Sequence, residues 1–224
     1  MEGLVKKSAD ISLKVQIVAG VLTYLGTNTN VANKDKILTE LLTLETIVQV
    51  VEIVFYIWIT RSMMVAEKVT PRRYIDWAVT TPTMLFTTIV YLDYIHKKEK
   101  GEDTTITIKQ FYNQNQDEIK KMFLYNWLML LFGFLGEIGI LPLYISVSIG
   151  FIFFYLSFKI VHKYANKTEK GKKFGKLFTI LWGLYGVAAV LPLNEKNISY
   201  NILDVFSKNF YGIYLLMEVN KVRQ

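Results

Sequence analysis

The chain has 224 residues, of which 52% are hydrophobic and 14% aromatic, with a formal net charge of +7 and a mean hydropathy of +0.27. It has no cysteine, which excludes a disulfide framework and any thiolate metal site. A basic balance can signal nucleic acid, but recurring long apolar stretches point to a membrane instead and argue against a soluble basic all-α protein.

The start, MEGLVKKSADISLKVQIV, stays polar for too long to suit a cleavable signal peptide and runs directly into a helical pattern. Apolar stretches of about 20 residues, the length an α-helix needs to cross a bilayer, then follow one another. They predict seven spans, at 8–27, 36–60, 71–95, 118–137, 140–161, 174–192 and 198–219, in a single domain covering 1–224. The expected fold is an all-α seven-transmembrane helix bundle. Residues 28–34 read as a short turn and 97–121 as the longest loop. Pro71 suits a first helical turn, and Pro82 is expected to kink the third span. His96 and His162 sit beside lysines and read as loop residues.

Lysines give the orientation. They crowd the connection after the third span (Lys97, Lys98, Lys100, Lys109, Lys120, Lys121), the one after the fifth (Lys163, Lys167, Lys170, Lys172, Lys173, Lys176) and the tail (Lys221, Arg223). The connection after the fourth span has none and the one after the sixth only Lys196, although the one after the second carries Lys68, Arg72 and Arg73. The positive-inside rule puts the C-terminus in the cytoplasm and, with seven spans, the N-terminus outside.

Helical spacing gathers the interior polar residues into stripes. These are Ser12, Gln16 and Thr23 on the first span, and Glu45, Gln49, Glu52 and Tyr56 on the second. The third carries Arg73, Asp76, Thr80, Thr83 and Thr87, and the seventh Asn197, Asn201, Asp204, Lys208 and Tyr211. A polar face can simply join helices by hydrogen bonds. Glu45 and Glu52, about 10 Å apart along the axis at 1.5 Å per residue, are a different matter, because intramembrane carboxylates mark ion or proton paths.

Lys208 stands in the middle of NISYNILDVFSKNFYGIYLLM (197–217), one turn after Asp204. A lysine at that depth costs roughly 2.5–3.5 kcal/mol on insertion scales, so its amine is expected to have chemical work. A desolvated amine can form a Schiff base with an aldehyde, and once protonated that Schiff base needs carboxylates nearby, for which Asp204 and Asp76 are the candidates. Arg73, one turn from Asp76, would hold both ionised. Trp77, Thr81, Met84, Trp182 and Tyr185 supply walls for a long conjugated ligand, and Gly133 and Gly150 leave it room; Thr80, Met129 and Ser146 complete the expected pocket.

The stretch RYIDWAVTTP (73–82) resembles the third-helix signature of microbial (type-1) rhodopsins, and LDVFSKNFYG (203–212) resembles their seventh-helix signature. LWGLY (181–185) is similar to their sixth-helix wall, and PLN (192–194) to the turn before the last helix. The resemblance implies all-trans retinal on Lys208, Asp76 as primary counterion and proton acceptor, Asp204 as second counterion and Arg73 as the charge gating the extracellular side. Three positions depart from the proton-pump pattern. Thr87 stands where a pump has its cytoplasmic carboxylate, Lys196 stands at the release carboxylate with Glu195 beside it, and Gly186 replaces a proline.

LLTLETIVQVVE (41–52), the small size and the Lys- and Asn-rich composition look like the viral group-1 rhodopsins, which act as cation channels. That likeness implies a central constriction of Ser12, Glu52 and Asn201 and a cytoplasmic constriction at Glu45, with Gln49 on the same ion pathway. Glu52 is expected to lie away from the polyene. The expectation is therefore an integral, multi-pass photoreceptor of a host cell membrane that acts as a light-gated cation channel, with a weak outward proton pump as the alternative. Its partners are the lipid bilayer and the monovalent cations Na⁺, K⁺ and H⁺, with a homo-oligomer allowed; nucleic acid and enzymatic activity are not expected. Glu137 and Glu218 receive no role beyond their place near helix ends.

Overall fold

The computed structural model describes residues 2–61 and 66–224. The elements run α1 (Glu2–Thr27), a 3-10 turn (Asn33–Asp35), α2 (Lys36–Arg61), α3 (Ala66–Lys100), α4 (Ile108–Glu137), α5 (Leu143–Ala165), α6 (Glu169–Ala189), α7 (Leu193–Asp204), a π-helical segment (Val205–Asn209) and α8 (Phe210–Lys221). The last three are continuous and form one rod, so the described residues make seven rods, as the apolar stretches predict. Each rod packs on the next, and the seventh returns against α1, closing the ring.

Inside the ring a polar column runs beside an apolar core, and the outer face of the ring is apolar. Gln16, Glu45, Gln49, Glu52, Arg73, Asp204 and Lys208 are buried, whereas Val18, Val54, Ile75, Ile152 and Leu184 face outward. Water would favour the reverse arrangement. Hydrocarbon favours this one, because polar side chains must there find partners within the protein. Among the described residues, three helices, spanning Gly3–Thr27, Asn33–Arg61 and Leu143–Ala165, are long and apolar enough on composition alone to cross a membrane. The other rods carry charged ends and interior polar residues that lower their average.

Local chemistry sets the ends. Thr107 caps α4 by accepting from the Gln110 backbone N–H, while the Gln110 side chain returns a bond to the Thr107 N–H. Thr168 caps α6 by accepting from the Gly171 N–H at 2.8 Å. Gly101 and Gly139, at φ of 67° and 76°, reverse the chain after α3 and α4.

Several expectations need correction. The long loop expected at 97–121 shrinks to 101–107, because α3 runs to Lys100 and α4 starts at Ile108, ten residues before its expected start. The stretch IKQFYNQNQD is polar enough to read as loop, yet the Thr107 cap starts a helix there, Phe111 anchors it in the core, and the Ile108 N–H donates to Glu40 Oε2 at 2.9 Å. Its backbone departs from helix at Asn115 (φ −123°), close to the expected start. The connection holding the second lysine cluster is likewise short, since α5 ends at Ala165 and α6 begins at Glu169. His96 and His162 lie within α3 and α5 rather than in loops, and His162 Nε2 is 2.9 Å from Thr179 Oγ1. Helix α3 continues through both Pro71 and Pro82, so Pro71 is not in its first turn. The side chain of Lys68 lies outside the described residues.

Candidate functional site

The seventh rod changes from α-helix to π-helix at Val205–Asn209, and Lys208 sits in that segment. A π turn disturbs the regular carbonyl ladder and is frequent at functional sites. Here the Lys208 carbonyl accepts from Gln49 Nε2 at 3.1 Å, and Asn209 Nδ2 donates to Gln49 Oε1 at 2.5 Å. Helix α2 therefore braces the backbone that carries the lysine.

The Lys208 ammonium is almost fully buried and meets three carboxylates. Asp76 Oδ2 is 2.8 Å from Nζ, Asp204 Oδ1 is 3.3 Å away, and Glu52 Oε1 is in direct contact. The two aspartates expected beside Lys208 are both there. Glu52, expected on the ion pathway and away from the polyene, meets the amine as well. Its position follows from reach. A glutamate on the inward face of α2 spans the gap to the seventh rod, and Gln16 of α1 steadies it by donating Nε2 to Glu52 Oε2 at 3.0 Å.

Of the two carboxylates Arg73 was expected to hold, it pairs with one. Its ion pair is with Asp204, at 3.1 Å between Nη1 and Oδ2, and not with Asp76 one turn along its own helix. It also donates to Tyr56 Oη at 3.2 Å and to Asn201 Oδ1. Asp204 further accepts from Tyr56 Oη at 2.7 Å and from Tyr185 Oη at 2.8 Å, and Tyr185 reaches Ser207 Oγ at 2.7 Å. Ser12 Oγ donates to the Asn201 backbone carbonyl at 2.8 Å, so Ser12, Asn201 and Arg73 form one connected patch. Sequence reasoning placed Tyr56 on a stripe but did not give it this bridging position.

Toward the other end of the bundle, Glu45 is separate from the lysine cluster. Thr87 Oγ1 donates to Glu45 Oε1 at 2.5 Å, and Tyr211 Oη donates to Thr87 at 3.3 Å. Thr83 leaves the stripe assigned to it: it is only half-buried and bonds its own helix at the Val79 carbonyl, 2.9 Å away. Glu218 lies in the last turns of α8, held by Lys170 at 2.6 Å, Lys221 at 2.5 Å and Tyr91 Oη at 2.9 Å. Glu137, the last residue of α4, pairs with Lys196 at 2.9 Å. Lys196, at the position where a pump carries a release carboxylate, is therefore already paired.

A cavity of about 100 Å³ lies beside Lys208, and its walls come from α3 to α7. Trp77, Thr81, Met129, Gly133, Ser146, Gly150, Trp182 and Tyr185 all line it, as expected from the sequence. Thr80 and Met84 do not. Thr80 is buried with its hydroxyl on the Asp76 carbonyl at 3.0 Å, and Met84 packs in the main apolar core with Phe178 and Leu215. Phe151, Phe154, Tyr74 and Tyr200 are lining residues the sequence did not single out. A Cβ placed at Gly150 would meet nothing closer than the Met129 carbonyl at 3.8 Å, so this wall is recessed. The lining is aromatic and aliphatic, with an amine at one end and carboxylates behind that amine. This is the donor set that an apolar conjugated aldehyde requires, and the residues present fit retinal.

Residues 10–222 match the family described as Bacteriorhodopsin-like protein. Among solved structures, the chain is similar to the viral rhodopsin OLPVRII, with a TM-score of 0.84 and 26% identity over 99% of this chain and 100% of that one. It is also similar to the blue light-absorbing proteorhodopsin from Med12 (TM-score 0.74, 19% identity, 97% of each chain). A third likeness is to the light-driven proton pump LR (Mac) from Leptosphaeria maculans (TM-score 0.71, 17% identity, 97% of this chain and 96% of that one). The last two similarities show the shared fold alone. No curated protein sequence matches the chain significantly.

Proposed function

Because this chain belongs to the bacteriorhodopsin-like family of multi-pass integral membrane proteins, close to the viral rhodopsins, we propose that it binds all-trans retinal on Lys208 and acts as a light-gated cation channel in a host cell membrane. The observation that carries this reading is the buried polar column beside Lys208. It runs from Asn201 and Ser12 through Arg73, Asp204, Glu52 and Gln49 to Glu45 and Thr87. Carboxylates spaced along such a path favour cations over anions. The crowding of Lys98, Lys163, Lys170, Lys173 and Lys221 at one end of the bundle supports a cytoplasmic C-terminus and an external N-terminus.

When bound, retinal supplies a light-driven isomerisation that shifts charge at the Lys208 nitrogen. The residues around that atom respond. Asp76 Oδ2, 2.8 Å from Nζ, is placed to accept its proton. Neutralising one of three acids around the nitrogen leaves Asp204 shared between Arg73 and the two tyrosines under a changed field, and the column rearranges to admit water and monovalent cations. Trp77, Trp182 and Tyr185 orient the chromophore and keep bulk water from the amine.

An outward proton pump is the second reading, favoured by one contact. Glu45 bonds Thr87 at 2.5 Å, which puts a carboxyl where the position of Thr87 alone would leave none. Whole-cell recording under voltage clamp separates the two. The channel gives a photocurrent whose reversal potential tracks the monovalent cation gradient. A photocurrent that stays outward across the whole voltage range refutes the channel and supports the pump.

A further inference from the structure

We propose that Glu52 is a third acidic partner of the Lys208 nitrogen, so that one residue of α2 sets the colour of the pigment as well as lining the ion path. This rests on the retinal reading above.

The geometry is specific to Glu52. Its side chain is fully buried; Oε1 contacts Lys208 Nζ and Oε2 is held by Gln16 Nε2 at 3.0 Å, so both oxygens are engaged and the carboxylate cannot swing away. Glu45, on the same face of the same helix, is equally buried but bonds Thr87, and it makes no ion pair among the described residues. Glu52 itself touches Gln16 of α1 and Lys208 of the π segment; through Lys208 it shares one cluster with Asp76 of α3 and Asp204 of α7, and Arg73 of α3 joins that cluster by its ion pair with Asp204. Among them stand two cations and, with Glu52, three carboxylates.

A carboxylate beside the nitrogen end of a conjugated cation stabilises the state in which positive charge stays on nitrogen. Light moves that charge along the polyene, so a nearby anion widens the energy gap, and the effect falls with distance as Coulomb's law requires. Glu52 is in contact with Nζ, whereas Asp204 is 3.3 Å away, so Glu52 acts on the gap at least as strongly as the aspartate of the same rod. A residue that only lined the ion path would leave the spectrum unmoved.

The test uses the purified full chain, supplied with all-trans retinal in detergent, and reads the visible absorption maximum. Glu52→Gln replaces the acid by a neutral amide of nearly the same shape and is expected to shift the maximum to longer wavelength. Glu52→Asp keeps the acid but draws it back by one methylene, and is expected to shift the maximum the same way by less. A wild-type maximum in Glu52→Gln overturns the inference. If that variant does not fold, a wild-type maximum in Glu52→Asp overturns it equally. Wild-type protein that stays colourless refutes the retinal reading itself, and the inference with it. Because absorption is read without any current, the result does not depend on whether the protein conducts or pumps.

Discussion

Replacing Asp204 by asparagine is expected to damage the bundle far more than the loss of one surface charge would. Asp204 is fully buried and receives Tyr56 at 2.7 Å, Tyr185 at 2.8 Å, Arg73 at 3.1 Å and Lys208 at 3.3 Å. Asparagine keeps the shape, but it removes the charge and turns one acceptor into a donor aimed at other donors. Lys208 still has Asp76 and Glu52. Arg73 does not fare as well, because its other polar contacts, Tyr56 and Asn201, are neutral. Stranding one member of a buried ion pair costs about 3–5 kcal/mol. At roughly 2–4 °C per kcal/mol for a chain of this size, the thermal midpoint should fall by on the order of 10 °C. The assay is loss of helical circular dichroism on heating the detergent-solubilised protein at one fixed scan rate, since unfolding of such proteins is commonly irreversible. Arg73→Gln should cost less, because Asp204 keeps Lys208 and two tyrosines. The double variant should be milder than the sum of the singles, by roughly 0.5–3 kcal/mol, as expected of partners in direct contact. A fall of less than about 3 °C for Asp204→Asn, together with additive singles, would refute the view that these two charges hold each other in place.

Two further outcomes follow from the same structure. Gly150→Phe adds a ring where the recessed wall of the cavity is open to 3.8 Å, and it should abolish pigment formation while helical content persists; a normal yield of coloured protein would remove this cavity from consideration as the chromophore site. In the connection 101–107, the Thr105 side chain and backbone N–H both donate to Asp103 and hold its carboxyl below the ordinary range. Because the folded value is lowered, this contact supports the loop above the ordinary value near pH 3.9 and is lost as pH falls through the folded one. Carbon NMR titration of Asp103 should inflect below about 3.9, and Thr105→Val should move the inflection upward; an unchanged inflection in the variant would rule out the threonine hydroxyl as a cause.

Much of the site was legible in the sequence because helical spacing fixes which residues share a face. Asn201, Asp204 and Lys208 repeat at helical intervals and are all buried on one side of the seventh rod, as are Glu45, Gln49 and Glu52 on α2. Eight of the ten residues assigned to the pocket line the cavity. The exceptions mark the limit of that reasoning. Thr80 and Met84 point inward, as their spacing says, but inward also means toward the core and toward the neighbouring helix. Thr83 belongs to the stripe only if the face is drawn wide, and in the packed bundle that edge is half outside. The polar opening of α4 read as loop because its helical character rests on a cap and one buried phenylalanine rather than on a repeating apolar face.

The sequence alone determined the seven helices, the polar faces they turn inward, and the lysine with an acid one turn before it, since all of these depend on periodicity within one segment. Which acid meets which cation was decided only by the tertiary structure. Arg73 passes over Asp76 on its own helix to pair with Asp204 on another, and Glu52 reaches Lys208 across the bundle. Such pairings depend on the rotation and height of each helix against its neighbours and on the local π turn that carries Lys208, and a one-dimensional pattern contains neither.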